Sequence, residues 1–239
     1  MIKLAVSGCL GRMGQRITSL ALEDKTFKIV SLLENKDHPN ISQSFLNIPV
    51  STDSSTLKGA QVLIEFTTPQ ATLEHLEVCR KYKVKMVIGT TGFSSDQIQK
   101  IKKASKTLPI VFSSNMSVGV NILFKLAKEA AAKFGPDYQI KIIEAHHVHK
   151  KDAPSGTAKT IAEIIDQSSG RKVSDIQSIR EGEIIGDHQI IFESGVDTLT
   201  LSHHAKTRDI FAKGSLIAAK ILAKNKKGLF SMQDVLGLK

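Results

Sequence analysis

Through its first 115 residues the chain alternates short apolar runs with amphipathic stretches, and this alternation limits the fold more than any other feature. The runs at 2–8 (IKLAVSG), 27–34 (FKIVSLLE), 61–68 (QVLIEFTT), 84–93 (VKMVIGTTGF) and 109–115 (PIVFSSN) are too evenly apolar for strands with one wet face. They read as strands buried on both sides. Between them, residues 12–22 place Met13, Ile17, Leu20 and Ala21 on one side, and 70–82 and 95–106 are again helical in pattern. Strand, crossover helix, strand in repetition predicts a parallel sheet. A polar loop containing Pro39 and Pro49 separates the second run from the third.

After Asn115 the character changes. A helix is predicted at 118–134, a strand at 139–147 and a helix beginning near Pro154, with Ala158, Ile161, Ala162 and Ile165 as its apolar stripe. Short strand-like runs at 178–186, 188–194 and 197–204 follow without a long helix between them, which predicts a mixed or antiparallel sheet. A helix at 214–223 and a tail through Leu238 are placed to return to the first domain. With 239 residues, 41% of them hydrophobic, two modest cores fit as well as one large one. No segment approaches the roughly 20 apolar residues of a spanning helix, so a soluble, unexported protein is expected. Cys9 and Cys79 are too few for a disulfide framework, fit a reducing cytosol and are expected to be buried.

The formal charge of +10 is compatible with nucleic acid, an acidic membrane or an anionic small substrate. Its lysines fall in clusters at helical spacing, Lys100, Lys102, Lys103 and Lys106 in one, Lys220, Lys224, Lys226 and Lys227 in another. With no Trp, two Tyr and no aromatic-rich strand to stack bases, nucleic acid is disfavoured.

Gly8, Gly11 and Gly14 stand at the first strand-to-helix turn in the spacing GxxGxxG, where backbone amides and a helix N-terminus can hold a pyrophosphate. Glu34 closes the next strand about 20 residues beyond the last glycine, where an acid accepts from ribose hydroxyls. The alternative is a tight turn and a surface glutamate. Gly89, Thr90 and Thr91, and Ser113, Ser114, Asn115 and Met116, follow two further strands at their C-terminal ends, and as small residues they admit a nicotinamide ribose and carboxamide or serve as ordinary turns.

Residues 144–157, EAHHVHKKDAPSGT, concentrate three histidines and two lysines in one strand-to-helix connection. Pro154 suits a helix's first turn, leaving the amides near Gly156 and Thr157 facing an anion. Lysines beside such amides suit a carboxylate, and a histidine near its reference pKa of about 6.5 exchanges protons at neutrality. A metal site of His146, His147 and His149 closed by His203 or His204 is a second reading, although Lys150 and Lys151 would repel the cation. A purely structural histidine cluster is a third.

SGCLGRMG, VIGTTGF, SSNMSVGVN and EAHHVHKKDAPSGTA resemble, in order, the motifs of bacterial dihydrodipicolinate reductases, and the resemblance extends over most of the chain. It implies an α/β fold: a Rossmann-like dinucleotide domain at 1–116 completed by 213–239, and an α+β domain with a mixed sheet at 117–212 that binds substrate and builds a homotetramer. It implies NADH or NADPH held by Gly8, Cys9, Leu10, Gly11, Arg12, Met13 and Glu34 at the adenosine and pyrophosphate half, and by Gly89, Thr90, Thr91, Ser113, Ser114, Asn115 and Met116 at the nicotinamide half. His146 would be the general acid, Lys150 would bind a carboxylate or assist proton delivery, and His147, Gly156 and Thr157 would hold the substrate's carboxylates. The implied reaction is reduction of a small cyclic imine dicarboxylate in cytoplasmic lysine and diaminopimelate synthesis, without nucleic acid, membrane or metal.

Two departures stand out. Asn35 follows Glu34 where many NADP-accepting members have arginine, with Lys36 nearby, and 180–188 lacks the family's long glycine-rich insertion. Two other activities are compatible with the residues: reduction of a different anionic carbonyl or imine acid, and nonenzymatic NAD(P) sensing.

Overall fold

The computed structural model describes residues 1–41, 44–225 and 227–238. Two compact units emerge, one of Met1–Ser117 with Phe211–Gly237, the other of Val118–Ile210 with Leu238. Lys226 of the second lysine cluster lies outside the described residues.

The first unit opens with β1 (Ile2–Ser7), α1 (Arg12–Glu23) and β2 (Phe27–Leu33), followed by a small hairpin, β3 (Ser44–Phe45) and β4 (Ile48–Ser51). Then come β5 (Val62–Glu65), α2 (Pro69–Tyr82), β6 (Lys85–Ile88), α3 (Ser95–Ser105) and β7 (Pro109–Phe112). Local chemistry sets the helix starts. Thr68 caps α2 by accepting from the Ala71 amide ahead of Pro69, and Ser94 with Gln97 forms a reciprocal capping box on α3. β1, β2, β4, β5, β6 and β7 run parallel. Leu4, Val6, Val62 and Ile64 belong to one apolar cluster while Ala5 and Leu63 belong to another, so successive residues of the central strands feed cores on opposite faces. Each fully buried leucine here contributes roughly 1.5–3 kcal/mol of transfer free energy.

The second unit holds α4 (Val118–Ala131), β8 (Gln139–His146), α5 (Gly156–Ser169), β9 (Asp175–Arg180), β10 (Asp187–Glu193) and β11 (Thr198–His204). Its sheet has the order β11-β10-β8-β9, with β8 and β9 parallel and the other pairs antiparallel. Ile140, Ile142, Ile190 and Phe192 pack inward against Val120, Phe124, Ile161 and Ile165. Continuing along β8, the inward positions after Ile142 are Glu144 and His146, both buried. The apolar core thus gives way to a polar end.

The chain then returns to the first unit through α6 (Asp209–Lys224), β12 (Gly228–Phe230) and α7 (Met232–Val235). β12 pairs in parallel with β7, so among the described residues the large sheet reads β12-β7-β6-β5-β1-β2-β4-β3. A Cβ at Gly214 would lie 1.7 Å from the Met116 carbonyl oxygen, which is how close α6 comes to the end of the β7 loop.

The α/β class holds, with the parallel sheet and the separate mixed sheet. Four local expectations do not. The run at 178–186 is strand only as far as Arg180, because the Glu181 amide turns to the His146 carbonyl at 2.9 Å and Gly182 takes φ +47. The last helix begins at Asp209 rather than near residue 214, where the Thr207 hydroxyl accepts from the Asp209 amide at 3.2 Å. The polar loop containing Pro39 and Pro49 carries the hairpin β3–β4. Pro154 stands ahead of α5 rather than in its first turn, because Ser155 takes the cap position by accepting from the Ala158 amide.

Candidate active site

The glycine turn closes on itself. Gly8 has φ +71, and a Cβ there would lie 2.3 Å from the Phe66 carbonyl oxygen. A Cβ at Gly14 would lie 2.0 Å from the Gly8 carbonyl, so α1 approaches the turn as closely as its backbone permits. The amides of Gly8 and Cys9 both donate to the Leu33 carbonyl and Gly11 donates to Gly8. Leu10 donates instead to the Glu34 carboxylate at 2.9 Å, whose other oxygen accepts from the Asn35 amide at 2.8 Å. Gly11, the residue before α1, supplies no side-chain cap. The first-turn amides of Arg12 and Met13 are therefore the donors this turn offers to an anion, with the field of α1 behind them. Burial and the neighbouring charge of Glu34 push the Cys9 thiol up to about 12, which makes it a neutral packing group.

Beside this turn lies a polar cluster that sequence reading missed. Glu65, fully buried at the end of β5, accepts from the Thr67 hydroxyl and meets His75 Nδ1 at 2.8 Å, and His75 Nδ1 also lies 3.3 Å from the Ser7 hydroxyl. Burial works against a charged His75 ring, yet the hydrogen bond and charge of Glu65 outweigh it and raise the pKa. The Thr90 hydroxyl accepts from the Thr67 amide at 3.0 Å and lies 3.1 Å from Thr72 Oγ1. Thr90 therefore ties two strand-end loops together, while Thr91 is exposed. Gly89 sits under the Phe66 ring, where a Cβ would come within 2.1 Å. In the next loop the Ser113 hydroxyl donates to the Asn115 carbonyl, Asn115 Oδ1 accepts from the Ser117 amide, Ser114 is exposed and Met116 is buried in the core.

The second unit gathers His146 and the start of α5. His146 Nδ1 is hydrogen-bonded to Glu144 Oε2. Glu144 is fully buried and also accepts from Arg180 Nη2 at 2.8 Å, Arg180 Nη1 at 3.1 Å and the Ser155 amide at 3.2 Å. Ser155 caps α5 by accepting from the Ala158 amide, and its hydroxyl lies 3.3 Å from His188 Nε2. Exposed Gly156 and buried Thr157 begin that helix. The rings of His146 and His188 stand edge to face at 5.2 Å. Burial works against the Glu144 carboxylate, but hydrogen bonds from Arg180, Ser178 and His146 hold its pKa down to about 2. Burial lowers that of His146, Glu144 opposes, and Lys150 and Arg180 lower it further.

Lys150 pairs with Asp152 at 2.8 Å in a turn where its amide donates to the His147 carbonyl. His147 and His149 rings lie 5.9 Å apart, and His149 reaches Glu183 at the surface. His203 stands opposite His188 across the strand pair, and His204 bonds Asp187 at 2.6 Å. Among the described residues no three histidines, cysteines or carboxylates converge on a metal position. Over this end of β8 runs the short connection 181–186, where a Cβ at Gly186 would lie 3.2 Å from His146 Nε2.

A glycine turn feeding an uncapped helix on a parallel sheet, joined to a second unit with a buried carboxylate–histidine pair, defines a two-unit dinucleotide-dependent oxidoreductase fold. Comparison with known proteins narrows this. Residues 2–116 match the family description "Dihydrodipicolinate reductase, N-terminus" and residues 119–236 match "Dihydrodipicolinate reductase, C-terminus". The chain is 41% identical to the 4-hydroxy-tetrahydrodipicolinate reductase of Nitrosomonas eutropha, over all of this chain and 99% of that protein. It is likewise 41% identical to the reductase of the same name from Polynucleobacter necessarius, over the whole of both chains. The dipicolinate-bound dihydrodipicolinate reductase of a Paenisporosarcina species superposes with a TM-score of 0.83 at 27% identity, covering 98% of each chain. An amine dehydrogenase from Mycobacterium smegmatis shares the fold at a TM-score of 0.70 and 10% identity. This chain belongs to the dihydrodipicolinate reductase family. Its alignment to the Nitrosomonas protein spans 266 positions against 239 residues here, so that relative carries segments this chain lacks.

Proposed function

We propose that the chain catalyses the nicotinamide-dependent reduction of 4-hydroxy-tetrahydrodipicolinate to tetrahydrodipicolinate in diaminopimelate and lysine synthesis. The observation that carries this reading is the setting of His146: a ring nitrogen bonded to a buried carboxylate, at the strand end beside the N-terminus of α5, with a lysine in the adjoining turn. Residues 1–116 with 213–239 serve as the cofactor domain, and 117–212 as the substrate and assembly domain.

The residues fit NADH or NADPH, because Gly8 and Gly14 let the turn pack tightly against Phe66 and α1, and the first turn of α1, left without a side-chain cap, turns its amides outward from that turn. Residues 8–13 would hold the pyrophosphate, chiefly through the Arg12 and Met13 amides. Glu34 would accept from the adenosine ribose, and Gly89, Thr90, Thr91, Ser113, Ser114, Asn115 and Met116 would line the nicotinamide half. Bound there, the nicotinamide supplies a hydride.

With loss of the 4-hydroxyl as water, ring carbon C4 takes that hydride and C3 of the resulting enamine takes a proton. His146 delivers this proton from Nε2, since Glu144 occupies Nδ1. Burial and nearby cations disfavour the imidazolium in the free protein, and the two carboxylates of the substrate restore it. The α5 amides of Gly156 and Thr157, with His147, hold one carboxylate, and Lys150 leaves Asp152 for the other or assists the proton. The partners are the cofactor, this dicarboxylate and three further copies of the chain in the cytoplasm, and neither nucleic acid nor membrane. Half-buried Ile143, Ile179 and Ile191 on the sheet face turned away from α4 and α5 support assembly through that face. Among the described residues no helix is long and apolar enough to cross a membrane.

The test is nicotinamide oxidation with substrate generated from pyruvate and aspartate semialdehyde, comparing NADH, NADPH and His146→Gln. Turnover that collapses in the variant supports reaction and proton donor together. A folded, cofactor-binding protein without turnover refutes the substrate.

A further inference from the structure

Arg180 has no part in the chemistry above and Glu144 enters it only by occupying His146 Nδ1, yet both are densely hydrogen-bonded. At zero exposure Glu144 bonds the His146 ring, the Arg180 guanidinium twice, Ser178 of β9 and the Ser155 amide at the threshold of α5. Arg180 spends its remaining Nη capacity on the carbonyls of Ile179 at 2.7 Å and Asp152 at 2.6 Å, the latter within the turn that carries Lys150, and its buried Nε has no hydrogen-bond partner. The pair therefore touches all three parts of the substrate site: the acid, the helix end and the lysine turn.

We infer that Glu144 and Arg180 are positioning residues acting on His146 in opposition, the carboxylate fixing the proton on Nδ1 and the guanidinium withdrawing part of that carboxylate's charge. This inference rests on His146 as the proton-transfer group. A lone buried carboxylate would do two unwanted things. It would trap His146 as an imidazolium in a permanent ion pair, and it would place uncompensated negative charge beside the helix start that must receive a substrate carboxylate. Arg180 offsets both, because its planar fork meets both carboxylate oxygens at once. The charged and titratable groups facing His146 are Glu144 on its own strand, Arg180 on β9, His188 on β10 and Lys150 in the following turn. His188 is a neutral neighbour near pH 7, its pKa depressed to about 3 chiefly by burial, and so leaves the balance to the other three.

The test is the pH dependence of kcat/KM, together with NMR titration of the His146 ring in the full chain, its signal identified by loss in His146→Gln. The expected result is a midpoint displaced downward in Glu144→Gln and upward in Arg180→Met, each by on the order of one pH unit, with kcat falling more than KM rises. Midpoints that stay in place, or move in the same direction, overturn the inference. If Arg180→Met does not fold, Arg180→Lys keeps the charge and loses the fork, and is expected to displace the midpoint upward by less; no displacement there overturns the inference equally. The ring titration reads the pair whether or not His146 is the proton donor. Full turnover by His146→Gln alone overturns that underlying assignment, and with it the catalytic consequence of the pair.

Discussion

His188 offers a sharp test of how the polar end of the second sheet is held. It is 4% exposed, flanked by the His146 ring at 5.2 Å and the Ser155 hydroxyl at 3.3 Å, and burial followed by the charge of His146 lowers its pKa from 6.5 to about 3. The fold accepts this ring only when neutral. Above about pH 6.5 the unfolded chain also carries it neutral, so His188 costs nothing there. As the pH falls below that value the unfolded chain gains a proton that the folded chain refuses, and stability is lost at about 1.4 kcal/mol per unit until the folded pKa is reached. At pH 5 the loss is about 2 kcal/mol. His188→Gln removes the titration while keeping a side chain able to bond Ser155. Guanidinium unfolding of both proteins at pH 7 and pH 5 isolates the effect. Whatever constant penalty the substitution brings, the gap between variant and parent should narrow, or reverse, by about 2 kcal/mol at the lower pH. An unchanged gap would show that the folded protein protonates His188 freely, and would refute its description as a sealed neutral ring.

Other outcomes follow from single contacts. Gly14→Ala places a methyl 2.0 Å from the Gly8 carbonyl and must push α1 off the turn, so dinucleotide affinity by fluorescence titration should fall on the order of 100-fold, about 2.7 kcal/mol, with the far-ultraviolet dichroism of a folded chain retained. Asn35→Arg sets a guanidinium beside Glu34, the proposed ribose partner, and the NADPH to NADH ratio of kcat/KM should rise about tenfold; an unchanged ratio would place the 2′-phosphate elsewhere. Gly186→Val crowds His146 Nε2 across a 3.2 Å approach, and kcat should drop at least about tenfold while dinucleotide affinity, measured by the same titration, stays at the parent value.

What could be read from the residues divides along sequence distance. The β1–α1–β2 unit was legible because its signals are local: an apolar strand, three glycines and an amphipathic helix within 33 residues. The apolar stripe of α5 was legible for the same reason, but its start was not: Pro154, expected in the first turn, precedes the Ser155 cap, and the helix opens at Gly156. The partners that make these motifs work were not. Arg180 reaches Glu144 across 36 positions, and Glu65 meets His75 only because α2 folds back over β5. The run from Ser178 was misread because Ile179, Ile184 and Ile185 mimic a continuous strand, whereas the turn is dictated by a bond to His146 formed only in the folded sheet. β12 has three residues, and its strand character comes from the open flank of β7 rather than from its own composition.

That last strand also bears on biosynthesis. A ribosome releases β7 long before α6 and β12, and must make the whole of 118–210 in between. Throughout that interval the nascent first unit presents an unpaired strand flank and lacks Ala212, Leu216, Ala218, Ala219, Leu222 and Met232 from its core. The second unit, contiguous in the chain apart from Leu238, is free to fold first. The dinucleotide unit, although it leads the chain, cannot complete its sheet and core until residues 211–237 have been made, and until then its bare flank is an edge open to pairing with other newborn copies.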